Sequence, residues 1–389
     1  MNLLCTLFVG ILLNACLNNN HQNAIITDTL DVSGVPTFKI QEEFKITEFN
    51  DGDFFGYVYS AYASSEGTIF VGDPSNIKIQ LFNYNGTYKG YLGGYGAGPG
   101  EFRRISDISL LTPDTLLVVD VSLARLTIYS IQNNEWALEK TIDYPLSPEI
   151  ISESGIYGFR NFSRIKNGYV GVYESTISSF KSNSDNYISV CFVMYDDNLE
   201  TIDTSKPICY DKLELIVNQN IGSSVETVSA MPIPNGYQTL FTISDKGDII
   251  TTWTGGKTIS IQSFDSTKSN GFEYHSAKIP ITTNIKQDLV NKAIPNENHS
   301  YFSKKELIEK IPPHKGFAEQ MLLDDENQLW ILTRSVEDNL KWLIYDITGN
   351  LNGRVLHPGG QFTQIIENKI YVANNSEKDP SFSVYEIQN

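Results

Sequence analysis

Gly72-Asp73-Pro74-Ser75-Asn76-Ile77-Lys78-Ile79-Gln80-Leu81-Phe82 and Val119-Asp120-Val121-Ser122-Leu123-Ala124-Arg125-Leu126-Thr127-Ile128-Tyr129 share one pattern. A strand ends on Asp and a short turn follows. A basic residue stands five places after the Asp, and an apolar alternation then runs on to an aromatic. Asp73 and Asp120, Lys78 and Arg125, and Phe82 and Tyr129 are each 47 residues apart. Self-similarity at a fixed period of this length marks a repeat architecture. An Asp at such a turn is expected to cap it by accepting backbone N–H bonds, with the basic residue five later pairing with the carboxylate.

The closing part of the pattern, alternating apolar residues and then an aromatic, recurs at 79–82, 126–129, 191–195, 259–264, 342–345 and 382–385. A preceding strand is legible at 68–72, 116–120, 249–254, 329–333 and 369–374. Turn residues such as Asn85-Gly86 and Gly349-Asn350 punctuate the runs. Strands without intervening helices exclude alternating βαβ units. Six four-stranded units that cannot each bury both faces fit a radial arrangement, which leaves only short, protected edges. The expectation is an all-β, six-bladed β-propeller with blades near 56–102, 103–147, 156–206, 225–280, 316–358 and 359–389. The last unit shows three strands, and 37–49 is placed to supply its fourth and so close the ring. Residues 281–315 break the pattern. Their helical spacing, with Ser303 as N-cap and Glu306 three residues on, predicts a short helical insertion between blades four and five.

Composition narrows the partners. The chain has 389 residues, 12% aromatic, with 29 Lys plus Arg against 46 Asp plus Glu, a net charge of -17. Aromatic richness favours strands. The acidic balance argues against nucleic acid and against anionic membrane surfaces. Residues 3–13 form an apolar or small run, too short for a bilayer core that needs about 20 residues but suited to a signal peptide. The run ends in Leu13-Asn14-Ala15-Cys16, which resembles a bacterial lipobox and makes Cys16 the expected lipidation site, although Met1-Asn2 lacks the usual basic residues. The expected domains are a signal peptide at 1–16, a polar tether at 17–35 and the propeller at 36–389. Of four cysteines, Cys191 and Cys209 remain in the mature domain. A turn at 196–198 would set Cys191 opposite a residue near 204, so a disulfide stays open against two buried thiols.

The loop Leu92-Gly93-Gly94-Tyr95-Gly96-Ala97-Gly98-Pro99-Gly100-Glu101-Phe102, with its Asp and basic strand pair, resembles the NHL-type propeller repeat. Together with the lipobox it is similar to the six-bladed β-propeller lipoproteins of Bacteroidota, NHL-repeat-like or TolB-like in type. The strong match covers residues 67–129, and the later blades lack the Gly-Pro-Gly-Glu loop. The resemblance implies a fold and a cell-envelope lipoprotein rather than an activity. The glycines could in principle cradle an anion, but without the Gly-Lys-Ser/Thr of a P-loop a tight inter-blade crossover is the favoured role.

In a four-stranded blade the second-to-third strand turn and the crossover to the next blade open on one face. That gathers 74–78, 94–104, 121–125, 255–257, 335–341 and 375–379 on one rim. Lys78, Tyr95, Glu101, Arg103, Arg104, Arg125, Trp253, Arg334 and Trp342 are the binding-face candidates, because aromatics and arginines stack on sugars or pair with carboxylates. No cofactor and no metal site are expected. His275, His299, His314 and His357 keep no repeat phase, and zinc-type or nucleophile motifs are missing. The expected function is a non-catalytic binding module for a glycan, peptide or partner protein, held to a membrane through Cys16. The periplasmic side of the outer membrane is favoured over the cell surface, since no acidic residue follows Cys16 in 17–20. The rivals are a metal-dependent lyase or hydrolase using the central channel, and an assembly scaffold with no small-molecule site.

Overall fold

All six residues of Thr68–Asp73 are buried, as are five of the six in Thr115–Asp120. A strand covered on both faces needs a sheet packed on each side of its own. Alternation provides this: Ile69 and Val71 face one neighbour while Phe70 faces the other. The computed structural model describes residues 34–389 except 51, 65, 113, 144–156, 176–186, 198–199, 201–207, 222–223, 265–268, 296–302, 336, 376–378 and 389. The expected signal peptide, nearly all of the tether, and Cys16 lie outside the described residues.

Six sheets form the blades. Blade 1 is Ser60–Ala63, Thr68–Asp73, Lys78–Asn83 and Tyr88–Gly93. Blade 2 is Ile105–Thr112, Thr115–Asp120, Arg125–Gln132 and Glu135–Asp143. Blade 3 begins with Tyr157–Ile165, Gly168–Ser175 and Tyr187–Tyr195, and continues into Ile208–Ile221 and Ser224–Pro232. Blade 4 is Thr239–Ile243, Ile249–Trp253, Thr258–Gln262 and Ser269–Glu273. Blade 5 is Ala318–Leu323, Leu329–Arg334, Leu340–Tyr345 and Leu351–Leu356. Blade 6 is Gln361–Ile366, Lys369–Asn375 and Pro380–Gln388, completed by Thr37–Ile46 from the other end of the chain. The six apolar runs that end in aromatics all fall on third strands.

One boundary differs from expectation. Blade 3 has five strands, because residues 208–232 form a long hairpin added to its outer edge. Blade 4 therefore starts at Thr239 rather than near 225.

Six apolar seams join the blades in a closed cycle. Phe70 and Ile79 meet Ile108 and Val118 between blades 1 and 2. Val119 and Leu126 meet Phe162 and Tyr173. Phe192 meets Ile249. Ile250 and Ile259 meet Leu329 and Leu343. Trp330 and Trp342 meet Phe362 and Ile370. Tyr371 and Phe382 meet Ile69 and Phe82, which returns to blade 1. Thr37–Ile46 runs antiparallel to Pro380–Gln388, from Lys39↔Gln388 to Ile46↔Phe382, and covers its free edge. Its first residues also pair in parallel with blade 5 at Thr37↔Arg354 and Phe38↔Val355, so the two blades count as one eight-stranded sheet.

The insertion between blades 4 and 5 contains helices α1 (Thr283–Ala293) and α2 (Lys304–Lys310). Ser303 Oγ accepts the Glu306 N–H at 3.1 Å, as the capping pattern predicts. Thr282 caps the first helix, its side chain accepting the Ile285 N–H at 3.4 Å. Val290, Ile294, Leu307 and Ile311 bury against one another and against Ile233 and Ile281.

The strand pairing corrects the expected cysteine register. Tyr187–Tyr195 pairs with Ile208–Ile221 so that Cys191 lies directly opposite Cys209 rather than a residue near 204. Cys191 is buried and disulfide-bonded. A bond to Cys209 would close a loop of 18 residues, and a loop of that size stabilises by about 3 kcal/mol through the unfolded chain. Cys191→Ser is expected to lose about that much stability in urea unfolding, and reductant should lower the parent protein to the same midpoint while leaving the variant unmoved.

Candidate functional site

The face formed by the second-to-third strand turns and the crossovers is organised by two buried carboxylates. Asp120 is wholly buried at the end of its strand. Its Oδ1 accepts Ser122 N at 2.9 Å and Leu123 N at 3.0 Å, capping its own turn. Its Oδ2 accepts Arg103 N at 2.6 Å and Arg104 N at 3.3 Å, from the crossover that enters the same blade. Asp73, also wholly buried, accepts Tyr57 N at 3.2 Å, Gly56 N at 3.3 Å and Asn76 N at 3.3 Å. Gly56 and Tyr57 precede Arg103 and Arg104 by the same 47 residues, so the clamp is part of the repeat. Ile77 and Ala124, again 47 apart, take left-handed φ angles of 53° and 49° at the end of these turns. The conformation is uncommon for Ala and a marked outlier for a β-branched residue. Other blades clamp with neutral groups: Thr254 Oγ1 accepts Gln238 N at 2.9 Å, and Asn375 Oδ1 accepts Val58 N at 2.8 Å across the ring-closing seam.

The expected pairing of the basic residue with the Asp does not occur. Arg125 is buried and directs its guanidinium at the crossover, donating to Ala97 O at 3.1 Å, Gly98 O at 3.2 Å and Glu101 O. Lys78 places its Nζ 4.0 Å from the centre of the Tyr91 ring. The glycine loop is a tight crossover and closes on itself. Gly96 N donates to Phe102 O at 3.0 Å, Phe102 N to Gly94 O at 2.8 Å, and Gly98 N to Glu101 Oε2 at 2.8 Å. The N–H groups of Gly96, Gly98, Glu101 and Phe102 are thus engaged within the loop itself. A Cβ on Gly96 would lie 1.9 Å from Glu101 Oε2, so a side chain there would displace the Glu101 carboxylate from its bond to Gly98 N.

The nine expected face residues separate into distinct roles. Tyr95, Arg103 and Arg104 are exposed on the crossover. Arg125 and Glu101 hold that crossover in shape. Arg334 is engaged within blade 5, with Nη1 2.8 Å from Asp338 Oδ1 and Nε 2.9 Å from Glu319 Oε1. Lys315 also pairs with Asp338. Trp253 is half-buried, its ring 6.1 Å from Tyr237 on blade 4. Trp342 does not reach the face. It is fully buried, stacked 4.5 Å from Phe362, with Nε1 donating to His357 Nδ1 at 3.1 Å. Alternation along its strand turns it into the seam between blades 5 and 6. Burial lowers the pKa of His357, while His314 is buried against Tyr237 and Phe317. Among the described residues no three His, Cys, Asp or Glu side chains gather as metal ligands.

Sequence inspection missed the residues that lead into blade 1. Phe54, Tyr57 and Tyr59 are 61%, 42% and 42% exposed, and Tyr95 on the neighbouring crossover is 76% exposed. Asn76 Nδ2 donates to Phe54 O at 3.3 Å, which ties this segment to the rim turn. Among the described residues the guanidinium groups of Arg103 and Arg104 meet no carboxylate, whereas those of Arg164 and Arg334 do. Extending the 47-residue alignment upstream of Asp73 would have found these positions. It also pairs Ser60 with Asp107 at the start of the innermost strands.

A family model described as a 6-bladed beta-propeller (DUF5128) matches residues 51–213, from the approach to blade 1 into blade 3. A member of the DUF4221 family from Bacteroides vulgatus is similar in structure, with 10% identity, 91% of this chain and 99% of that chain covered, and a TM-score of 0.52. A candidate exported protein of Bacteroides fragilis matches with 12% identity over 91% and 99% of the two chains at a TM-score of 0.49. A virginiamycin B lyase from Staphylococcus aureus matches with 11% identity over 90% and 100% at 0.43. Identities this low speak to fold alone. No curated protein matches the chain in sequence. The chain is a six-bladed β-propeller, and no helix among its described residues is long and apolar enough to cross a membrane.

Asp107, on the innermost strand of blade 2, is 6% exposed, and burial pushes its carboxyl up to about 8. The native state then keeps a proton that the unfolded chain releases above its ordinary pKa near 3.8. Stability from this group is full below that value, falls as pH rises toward about 8, and is constant beyond it. Asp107→Asn is expected to gain stability over the parent progressively between pH 5 and pH 8, by at most about 1.4 kcal/mol per pH unit, with no further gain above pH 9. Urea unfolding at four pH values measures this.

Proposed function

We propose that the protein is a non-catalytic binding module whose working surface is the aromatic and arginine patch over blades 1 and 2. One observation carries this reading: Phe54, Tyr57, Tyr59 and Tyr95 are half of the eight large hydrophobics exposed among the described residues, and they stand on the segments that enter blades 1 and 2, as do the exposed Arg103 and Arg104. Exposed aromatic rings with adjacent guanidinium groups supply contact area at low entropic cost together with bidentate donors. On a chain of net charge -17 such a pair suits a ligand bearing a carboxylate, on an acidic glycan, a peptide or a partner protein.

The mature domain is tethered through an acylated Cys16 in the cell envelope, on the periplasmic side of the outer membrane. The lipobox-like Leu13-Asn14-Ala15-Cys16 and the short apolar run before it support this.

Two experiments test these proposals. Binding to arrays of acidic glycans and acidic peptides should be weakened about ten-fold or more by Arg103→Ala with Arg104→Ala, a loss of about 1.4 kcal/mol, and also by Tyr95→Ala. Replacement of the core residue Trp342 by Phe should leave binding as it was. If the rim variants bind every ligand of the parent equally well, the patch is not the working surface. Separately, Cys16→Ser should abolish palmitate incorporation and release the protein from the membrane fraction.

A further inference from the structure

The turn between the first two strands of blade 5 and the matching turn of blade 6 lie on the face opposite the rim. A cavity of about 240 Å³ opens between the two blades there. Glu367 N donates to Asp325 Oδ2 at 3.1 Å and fixes one turn against the other. Trp330, Ile344 and Ile365 are buried and form an apolar floor, with Phe38 and Ile387 from the ring-closing strands beside them. Asp324, Asp325, Glu326 and Glu367 line the rest together with side-chain amides, and no Lys, Arg or His does.

Asp324 is held from within the blade. Its Oδ1 accepts Glu326 N at 3.0 Å and Gln328 N at 2.8 Å, and its Oδ2 accepts Trp330 Nε1 at 2.8 Å. No Lys or Arg among the described residues pairs with any of the four carboxylates. Burial, ahead of the neighbouring Asp325 charge, raises the pKa of Asp324 against its hydrogen bonds, so the negative charge around the cavity is not relieved from inside the chain. The volume falls just under the range of about 300–1,000 Å³ common to ligand sites, which suits a small molecule. Its acidic lining selects a cation. Among the described residues no three carboxylates gather as metal ligands do, so the charge is spread along the cavity rather than focused on one ion. The apolar floor favours methylene groups over a hydrated metal. Residues 17–33, which lead toward Phe38, carry no Lys or Arg, so an ammonium group must come from another molecule.

We propose that this cavity binds a small aliphatic amine with two or more ammonium groups, its methylenes against Trp330, Ile344 and Ile365 and its ammonium groups on Asp325, Glu326 and Glu367. Each ammonium brings three N–H donors and no acceptor. A single exposed ion pair is worth little, so the site gains its selectivity from several pairs at once and from the apolar floor between them. The site does not rest on the rim arginines, which suit the opposite charge, and it stands if the rim proposal fails.

Isothermal titration calorimetry of the full-length protein with hexamethylenediamine, hexamethylene glycol and calcium chloride tests the site. The diamine is expected to bind at least about ten-fold more tightly than the glycol, its neutral isostere, and more tightly than calcium. Asp325→Asn, Glu326→Gln and Glu367→Gln together should weaken diamine binding about ten-fold or more. All three residues are exposed, and an amide oxygen at 325 can still accept the Glu367 N–H, so the melting temperature should hold. Glu135→Gln, Glu139→Gln and Asp143→Asn remove the same charge from the outer strand of blade 2 and should leave diamine affinity as it was. Failure of the diamine to bind, equal binding of the glycol, or binding of calcium as tight as that of the diamine overturns the proposal. Retained affinity in the cavity triple variant, or an equal loss in the blade 2 variant, overturns it too. If the cavity triple variant does not fold, Glu367→Gln alone is expected to lose about three-fold, and full retention there overturns the proposal.

Discussion

The ring depends on the seam where the two ends of the chain meet. Five of the six inter-blade seams join sheets that follow one another in sequence, so the chain itself keeps them near. The sixth brings Tyr371, Phe382 and Val384 against Ile69, Val71 and Phe82, some 300 residues away in sequence. Thr37–Ile46 makes that contact permanent by supplying the outer strand of blade 6. Without it the edge of Pro380–Gln388 would expose a row of unpaired backbone groups. The Thr37↔Arg354 and Phe38↔Val355 pairs extend the same strand toward blade 5, and Asn375 reaches across the closure to Val58. Side-chain packing, strand pairing and a cross-seam amide therefore coincide at one place.

On the face above the blades the organising device is smaller. A wholly buried Asp at the end of a second strand collects backbone N–H groups from its own turn and from the incoming crossover. Four donors around one carboxylate replace the solvation that burial removes. Because both Asp73 and Asp120 do this, Tyr57 and Arg104 are delivered to the face from equivalent backbone positions with different side chains. The repeat fixes where a residue stands, and divergence within it decides what that residue can bind. The same logic sets Ser60 and Asp107, a small hydroxyl and an acid, at matching places on the inner strands.

Strand content was legible because its signals are local. Period-two alternation, terminal aromatics and Gly or Asn turns marked all six third strands, and Ser303 with Glu306 marked a helix start. Legibility failed where a distance between strands mattered. Counting outward from the turn signal at 196–198 sets Cys191 opposite a residue near 204, and only the strand pairing reveals Cys209 as its partner position. Residues 208–232 alternate well enough for any blade, and only pairing assigns them to blade 3. Trp342 suggests a face residue because it stands near the start of a third strand beside a rim turn. Its side chain instead fills a seam, since alternation in a doubly covered strand leaves no exposed side.

By itself the sequence determined that this chain is a ring of repeated β units, interrupted once by helices and closed by its own first strand. Those features follow from periodicity and composition, which every residue carries regardless of its neighbours. Only the tertiary structure decided what the singled-out side chains do. Arg125 donates to three carbonyls rather than to the Asp five residues before it, and these bonds offset the large cost of burying a guanidinium. Arg103 and Arg104 keep exposed side chains while Asp120 holds their backbone. Hydrogen-bond partners and exposure are properties of three-dimensional neighbourhood, and residues 16, 47 or 300 places apart in sequence become neighbours only when the ring closes.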